Sequence, residues 1–140
     1  MTRKRRTEIL IKGSEDLALR LAGEILQKYD VRTIQDPNNV LVMVKMRETA
    51  RRSLFYAGEM FITECKVQIN HNLGIGMVYG HEPELAYYLA VIDCAYNAGL
   101  LETNAWTAIL LSEENRILAH EREHNQKVLN TRVKFETMDV

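Results

Sequence analysis

The sequence predicts an α+β domain: an N-terminal helical hairpin, an antiparallel sheet of about four to five strands, and two C-terminal helices packed on one face. Three observations carry that reading. Apolar residues recur at helical spacing up to residue 29 and then switch to a period of two. Between residues 61 and 69 the alternation is clean, with Phe61, Thr63, Cys65, Val67 and Ile69 on one side and Glu64, Lys66 and Gln68 on the other, as in a sheet with one packed and one wet face. From Pro83 to Gly99 the chain is apolar nearly all round, which marks a helix buried on two sides.

The elements follow in order. Residues 2–12 read as a short helix stopped at Gly13. Ser14 stands where a cap for the next helix belongs, with Glu15 and Asp16 in its first turn. Leu17, Leu21, Ile25 and Leu26 then give residues 15–29 an amphipathic helical stripe. Strands are expected at 31–35 and 40–46, joined by the turn signal Asp36-Pro37-Asn38-Asn39. Two more follow at 54–56 and 61–69, with Ala57-Gly58 between them marking a bulge or tight bend. Asn70-His71-Asn72 turns the chain into a strand at 75–79. Pro83 suits a first helical turn and Gly99 a helix stop. In that helix Leu85, Leu89, Ile92 and Tyr96 form one stripe, widened by Tyr88, while Ala86, Ala90 and Cys94 cover much of the other side. Its second side is expected to meet the last helix or a partner chain. Residues 106–111 fit helix or strand, 112–130 a charged helix, and Val133, Phe135 and Thr137 an alternating tail.

Composition excludes several classes. A chain of 140 residues, 46% hydrophobic and 26% charged, is the size and make-up of one soluble domain spanning 1–140. A net charge of −1 argues against nucleic acid as the main partner, because neutralising phosphates takes an excess of cations. No apolar run approaches the length of a membrane span, about 18 residues. Behind the basic start Arg3-Lys4-Arg5-Arg6 only Ile9-Leu10-Ile11 is apolar, too short for a secretory core. Cys65 and Cys94 stand alone, without C-x-x-C spacing, and read as small buried hydrophobes in a reducing compartment. A cytoplasmic chain is expected.

Each candidate chemistry has a plainer competitor. His120-Glu121-Arg122-Glu123-His124 spells H-E-x-x-H, which on a helix sets two imidazoles one turn apart with a glutamate as base. A third zinc ligand has little chain left to come from, His71 and His81 lie in distant turns, and the helix is rich in solvated residues; no metal site is expected. Arg3-Lys4-Arg5-Arg6 offers cations to a phosphate, against the simpler reading of a solvated terminus. Gly74, Gly76 and Gly80 miss the G-x-G-x-x-G spacing, since Tyr79 holds the third position, and turn or bulge glycines explain them better. Asp93 is the charged group amid the apolar helix. A buried carboxylate must be paired or hydrogen-bonded, so a backbone donor or an arginine such as Arg132 is the expected partner rather than a catalytic role. Glu59, beside Gly58, is read the same way. No catalytic residue is assigned.

Two blocks carry a resemblance. The first begins Phe55-Tyr56-Ala57-Gly58-Glu59, runs through Thr63, Cys65 and Val67, crosses Gly74-Ile75-Gly76-Met77-Val78-Tyr79-Gly80 and ends Ala86-Tyr87-Tyr88-Leu89-Ala90-Val91-Ile92-Asp93. The second is Asn130-Thr131-Arg132-Val133-Lys134-Phe135-Glu136-Thr137-Met138. In this order and separation they resemble the PhnG family, whose members are components of the bacterial carbon–phosphorus lyase core complex. The resemblance covers the chain at domain level, the N-terminal third in pattern only. It implies a non-catalytic but required subunit of the synthase that opens phosphonate breakdown. There ATP and an alkylphosphonate such as methylphosphonate react so that adenine is displaced and C1 of the ribose triphosphate joins a phosphonate oxygen. The implied partners are the H, I and J subunits of that complex, together with L, its ATP-binding-cassette-type component. Of these, I is the nucleosidase-like one and J the radical iron–sulfur one. ATP and Mg are implied for the complex and no cofactor for this chain.

The residues add an assembly reading of their own, since the strand edges and the greasy helix leave more surface than the chain itself covers. Arg132, Phe135 and Met138 are the expected partner contacts, an aromatic and a guanidinium being common interface anchors; a tail folded back on its own sheet is the alternative. The competing classes are a stand-alone enzyme or ligand-binding domain with Asp93 and Glu59 in a pocket, and a nucleic-acid adaptor using the basic N-terminus.

Overall fold

The structure, a computed structural model, describes residues 1–47 and 54–138; the side chains of 54–57 and 133–138 lie outside that description. Its α+β architecture has four helices and a three-stranded antiparallel sheet among the described residues. Helix α1 spans Arg3–Lys12 and α2 Glu15–Lys28. Thr2 caps α1, its hydroxyl accepting the Arg5 amide at 3.3 Å, and α1 closes where the Gly13 amide reaches the Ile9 carbonyl. Ser14 occupies the cap position of α2 but makes no side-chain cap bond. Its amide donates instead to Glu113 at 3.1 Å.

The sheet differs from the expected four to five strands because two pairs of short strands are each continuous. Strand β1 runs Arg32–Arg47 and β2 Leu54–Ile69, with β3 at Asn72–Tyr79, in the order β1-β2-β3. Asp36-Pro37-Asn38-Asn39 is therefore not a turn. Proline is tolerated because β1 is an edge strand, where a missing donor costs no ladder bond. The irregularity is absorbed by register shifts between Thr33 and Gln35 and between Gln35 and Asn38. Ala57-Gly58 is a bulge within β2: Val44 faces Gly58, Lys45 faces Tyr56, and Ala57 is passed over. Ile69 pairs with Asn72 across a two-residue turn in which Asn70 takes φ 55°, a conformation asparagine tolerates.

Helix α3, Pro83–Ala98, packs against β2 and β3. It stops at Gly99, whose φ of 67° is the left-handed conformation glycine favours. Thr63 fastens its start: the hydroxyl donates to the Gly80 carbonyl at 2.6 Å and accepts the Glu82 amide at 3.0 Å. The second side of α3 is covered mainly by α2, rather than by the last helix or a partner.

The stretch 106–111, the charged helix and the alternating tail form one helix, α4, Glu102–Met138. The period-two signal at Val133, Phe135 and Thr137 is too short to outweigh the helix already running through it. Helix α4 does not pack on the sheet as expected; it lies against α1, α2 and α3. Its anchor is Trp106, fully buried, tilted against Tyr96 and donating its indole N–H to Glu24 at 2.8 Å. The core thus sits between sheet and helices, from Leu17, Leu21 and Ile25 through Leu89 and Ile92 to Val67 and Ile69. Each such side chain contributes about 1.5–3 kcal/mol on burial.

Candidate functional site

Two elements leave the packed body. The first is a ribbon made of residues 40–47 of β1 and 54–61 of β2. β3 stops pairing at the Ile62–Tyr79 match, so the ribbon beyond it is two-stranded. Alternation puts Leu41 and Met43 on the helix side of the sheet and Val40, Val42 and Val44 on the other. Leu41 is 63% exposed, Met43 60%, and Phe61 is exposed beside them, while on the other face Val42 is exposed and Val40 and Val44 are half-buried. Phe61 shares its face with buried Thr63 and Cys65 but lies past the end of β3, where that inner layer stops. A two-stranded ribbon is marginal by itself in water, and this one carries apolar residues on both sides.

The second element is the outer half of α4. Every residue from 118 to 132 is exposed, including Leu118, Val128 and Leu129. The helix runs on from Ile117 to Met138, about 30 Å at 1.5 Å per residue. Arg132 lies on this stretch and is exposed. The side chains of Phe135 and Met138 fall outside the described residues, but their backbone is helical and not an extended tail. Beside these elements the outer sheet face lies open, with Leu73, Met77 and Tyr79 exposed along β3.

The basic N-terminus is not simply a solvated tail. Arg6 is 8% exposed and its guanidinium donates to Asp93 Oδ1 at 3.3 Å while lying 3.9 Å over the Tyr96 ring. Arg3 approaches the same oxygen at 3.3 Å and donates to the Ile75 carbonyl at 3.1 Å. The other carboxylate oxygen accepts the Ile75 amide at 3.0 Å and the Asn97 amide group at 3.4 Å. Arg5 reaches across to Glu114 through Nε at 2.8 Å and Nη2 at 2.5 Å. The run is a clasp joining α1 to α3, β3 and α4. An arginine does sit on Asp93, but from the opposite end of the chain to Arg132.

The remaining candidates stay apart. Glu59 is exposed on the ribbon. Asp93 is bonded to Ile75, which pairs with Lys66, so seven residues of β2, roughly 20 Å, separate the two carboxylates. They do not share a pocket. His120 and His124 line an open trough with Lys12, Arg116 and Glu121. Among the described residues no three His, Cys, Asp or Glu side chains gather as a metal site would need. Gly74 and Gly76 are interior to β3, not in a turn: they let the strand lie directly on Ala86, Ala90 and Cys94 of α3. Burial, with a lesser push from Asp36, raises the Cys65 thiol to about 11. Burial raises Cys94 too, so both stay protonated and poorly nucleophilic at neutral pH.

No helix of the described residues is long and apolar enough to cross a membrane. A family model described as phosphonate metabolism protein PhnG matches residues 1–139. The chain belongs to the PhnG family. Its place is therefore in phosphonate metabolism. No curated protein matches the chain. The ribbon is partly legible in the sequence. Five consecutive apolar residues, Val40-Leu41-Val42-Met43-Val44, cannot belong to a strand that is wet on one side.

Proposed function

We propose that this chain is a non-catalytic but required subunit of the carbon–phosphorus lyase complex, which transfers the ribose triphosphate of ATP to an alkylphosphonate such as methylphosphonate and releases adenine. Its contribution is placement. The H, I and J subunits, with the ATP-binding-cassette-type component L, take the surfaces it leaves open, and ATP with its Mg is handled at the level of the complex. An assembly that consumes ATP operates in the cytoplasm. The observation that carries this reading is the bare half of α4, residues 118–132, on a chain that matches the family nearly end to end. A helix of this length with no packed face gains little stability by itself, and it suits a groove in another protein.

Co-expression with the nucleosidase-like subunit, followed by affinity capture and size exclusion, tests the proposal. Co-elution is expected. Val128→Asp combined with Leu129→Asp should reduce it at least tenfold, since two desolvated charges in an interface cost more than about 1.4 kcal/mol. The melting temperature of the isolated chain should move little, because both residues are exposed. Turnover of ATP and methylphosphonate by the isolated chain, or full co-elution of the double variant, would sink the reading.

A further inference from the structure

The ribbon has a free edge, and its sequence says what fits there. β1 is the outermost strand, and its two halves differ. The lower half is irregular, carrying Pro37 and both register shifts before Asn38, which is how natural sheets protect an edge against pairing. From Asn38 to Val44 the register to β2 is unbroken, and the irregularity at Lys45 places its extra residue on β2, not on β1. The unprotected half therefore offers a straight row of backbone donors and acceptors.

That half contains Val40-Leu41-Val42-Met43-Val44, which reads nearly alike in both directions. In an antiparallel pairing of the strand with its own copy about Val42, Val40 faces Val44, Leu41 faces Met43, and Val42 faces itself. Asn39 then lies against Lys45, a polar match that closes the apolar stretch at each end, with Asn38 against Met46 beyond it. Opposite residues share a face in such a ladder, so the valines stay together on one side and Leu41 with Met43 on the other. Self-complementarity of this kind is what an isologous twofold interface requires.

We infer that two copies of this chain pair edge to edge through residues 38–46 of β1, joining two three-stranded sheets into one continuous sheet. Leu41, Met43 and Phe61 are exposed on one face of the ribbon and Val42 on the other, so the pairing sets apolar side chains of the second copy beside those on each face. The dimer stands or falls independently of the partner subunits, because the self-matching strand belongs to the chain alone.

The test uses the full chain without partners. Light scattering on a sizing column should give the mass of a dimer, and Val42→Lys, which sets two like charges against each other on the axis, should return it to a monomer with its circular dichroism unchanged. Val42→Cys places two thiols in opposing positions, and the native Cys65 and Cys94 are buried and do not compete. Mild oxidation should therefore yield a covalent dimer, several-fold more than Val40→Cys, whose opposite number is Val44. This comparison decides the question even if Val42→Lys fails to fold. A wild-type monomer at tens of micromolar, a dimer that survives Val42→Lys, or equal cross-linking at the two cysteine positions would overturn the inference.

Discussion

Gly76→Ala is expected to lower the melting temperature by about 10 °C, from a loss of ~3 kcal/mol or more. A methyl group built at Gly76 falls deep inside the van der Waals radii of the Ala86 carbonyl oxygen and the Ala90 amide nitrogen, and at Gly74 the same happens with the Ala90 carbonyl and Cys94. These are largely backbone atoms of α3, which cannot swing aside as the tip of a side chain would. Strand β3 would have to lift off the helix, opening the contact that buries Ala86, Ala90, Cys94 and Val78. Overpacking at such a site costs about 1–3 kcal/mol when the neighbours can adjust, and more when they cannot. Gly23→Ala is the control: a Cβ there meets nothing within 4 Å and the residue is inside α2, so stabilisation by up to about 1 kcal/mol is expected. Thermal melts by circular dichroism would show both signs. A Gly76→Ala variant that melts with the wild type would mean that α3 does not sit on β3 this closely.

This helix–strand contact shows what the sequence discloses and what it hides. Ala86, Ala90 and Cys94 recur every fourth residue, and Gly74 and Gly76 alternate on a strand. Each set looks local, as small residues on a greasy helix and as turn glycines, and only their apposition explains both. The α3 stripe, the bulge at Ala57-Gly58 and the turn at Asn70 can be read from local chemistry alone. Local signals divide an element wrongly where punctuation residues occur in contexts that cancel their effect. Pro37 sits on a free edge, so it does not end β1. The outer half of α4 carries no strong apolar period, so nothing in its pattern announces its union with 102–111. The Asp93 clasp needs the first six residues and the ninety-third to meet, a pairing that no spacing rule anticipates.

Asp93→Ala is the second large loss, about 3–5 kcal/mol, the usual consequence of removing one partner from a buried ion pair. The stranded group is the Arg6 guanidinium, 8% exposed and left with the Tyr96 ring face. The Ile75 amide loses its acceptor in the same step, adding the cost of an unsatisfied donor, while Arg3, half in water, is free to turn outward. Arg6→Met should cost less, because the carboxylate keeps Arg3, the Ile75 amide and Asn97 and the methionine stem still covers Tyr96. The asymmetry separates a desolvation account from one that credits the pair with intrinsic strength. So does the double variant Asp93→Leu with Arg6→Met, which should be more stable than Asp93→Ala alone, since a buried pair exchanged for apolar side chains is often neutral. Urea titrations of the wild type and the three variants give the order of stabilities. At a temperature where Asp93→Ala is still folded, it should co-elute with the nucleosidase-like subunit as the wild type does, because the clasp joins α1 to α3 and β3 and neither projecting element takes part in it. If co-elution failed while the fold held, the carboxylate would have a role beyond holding these elements together.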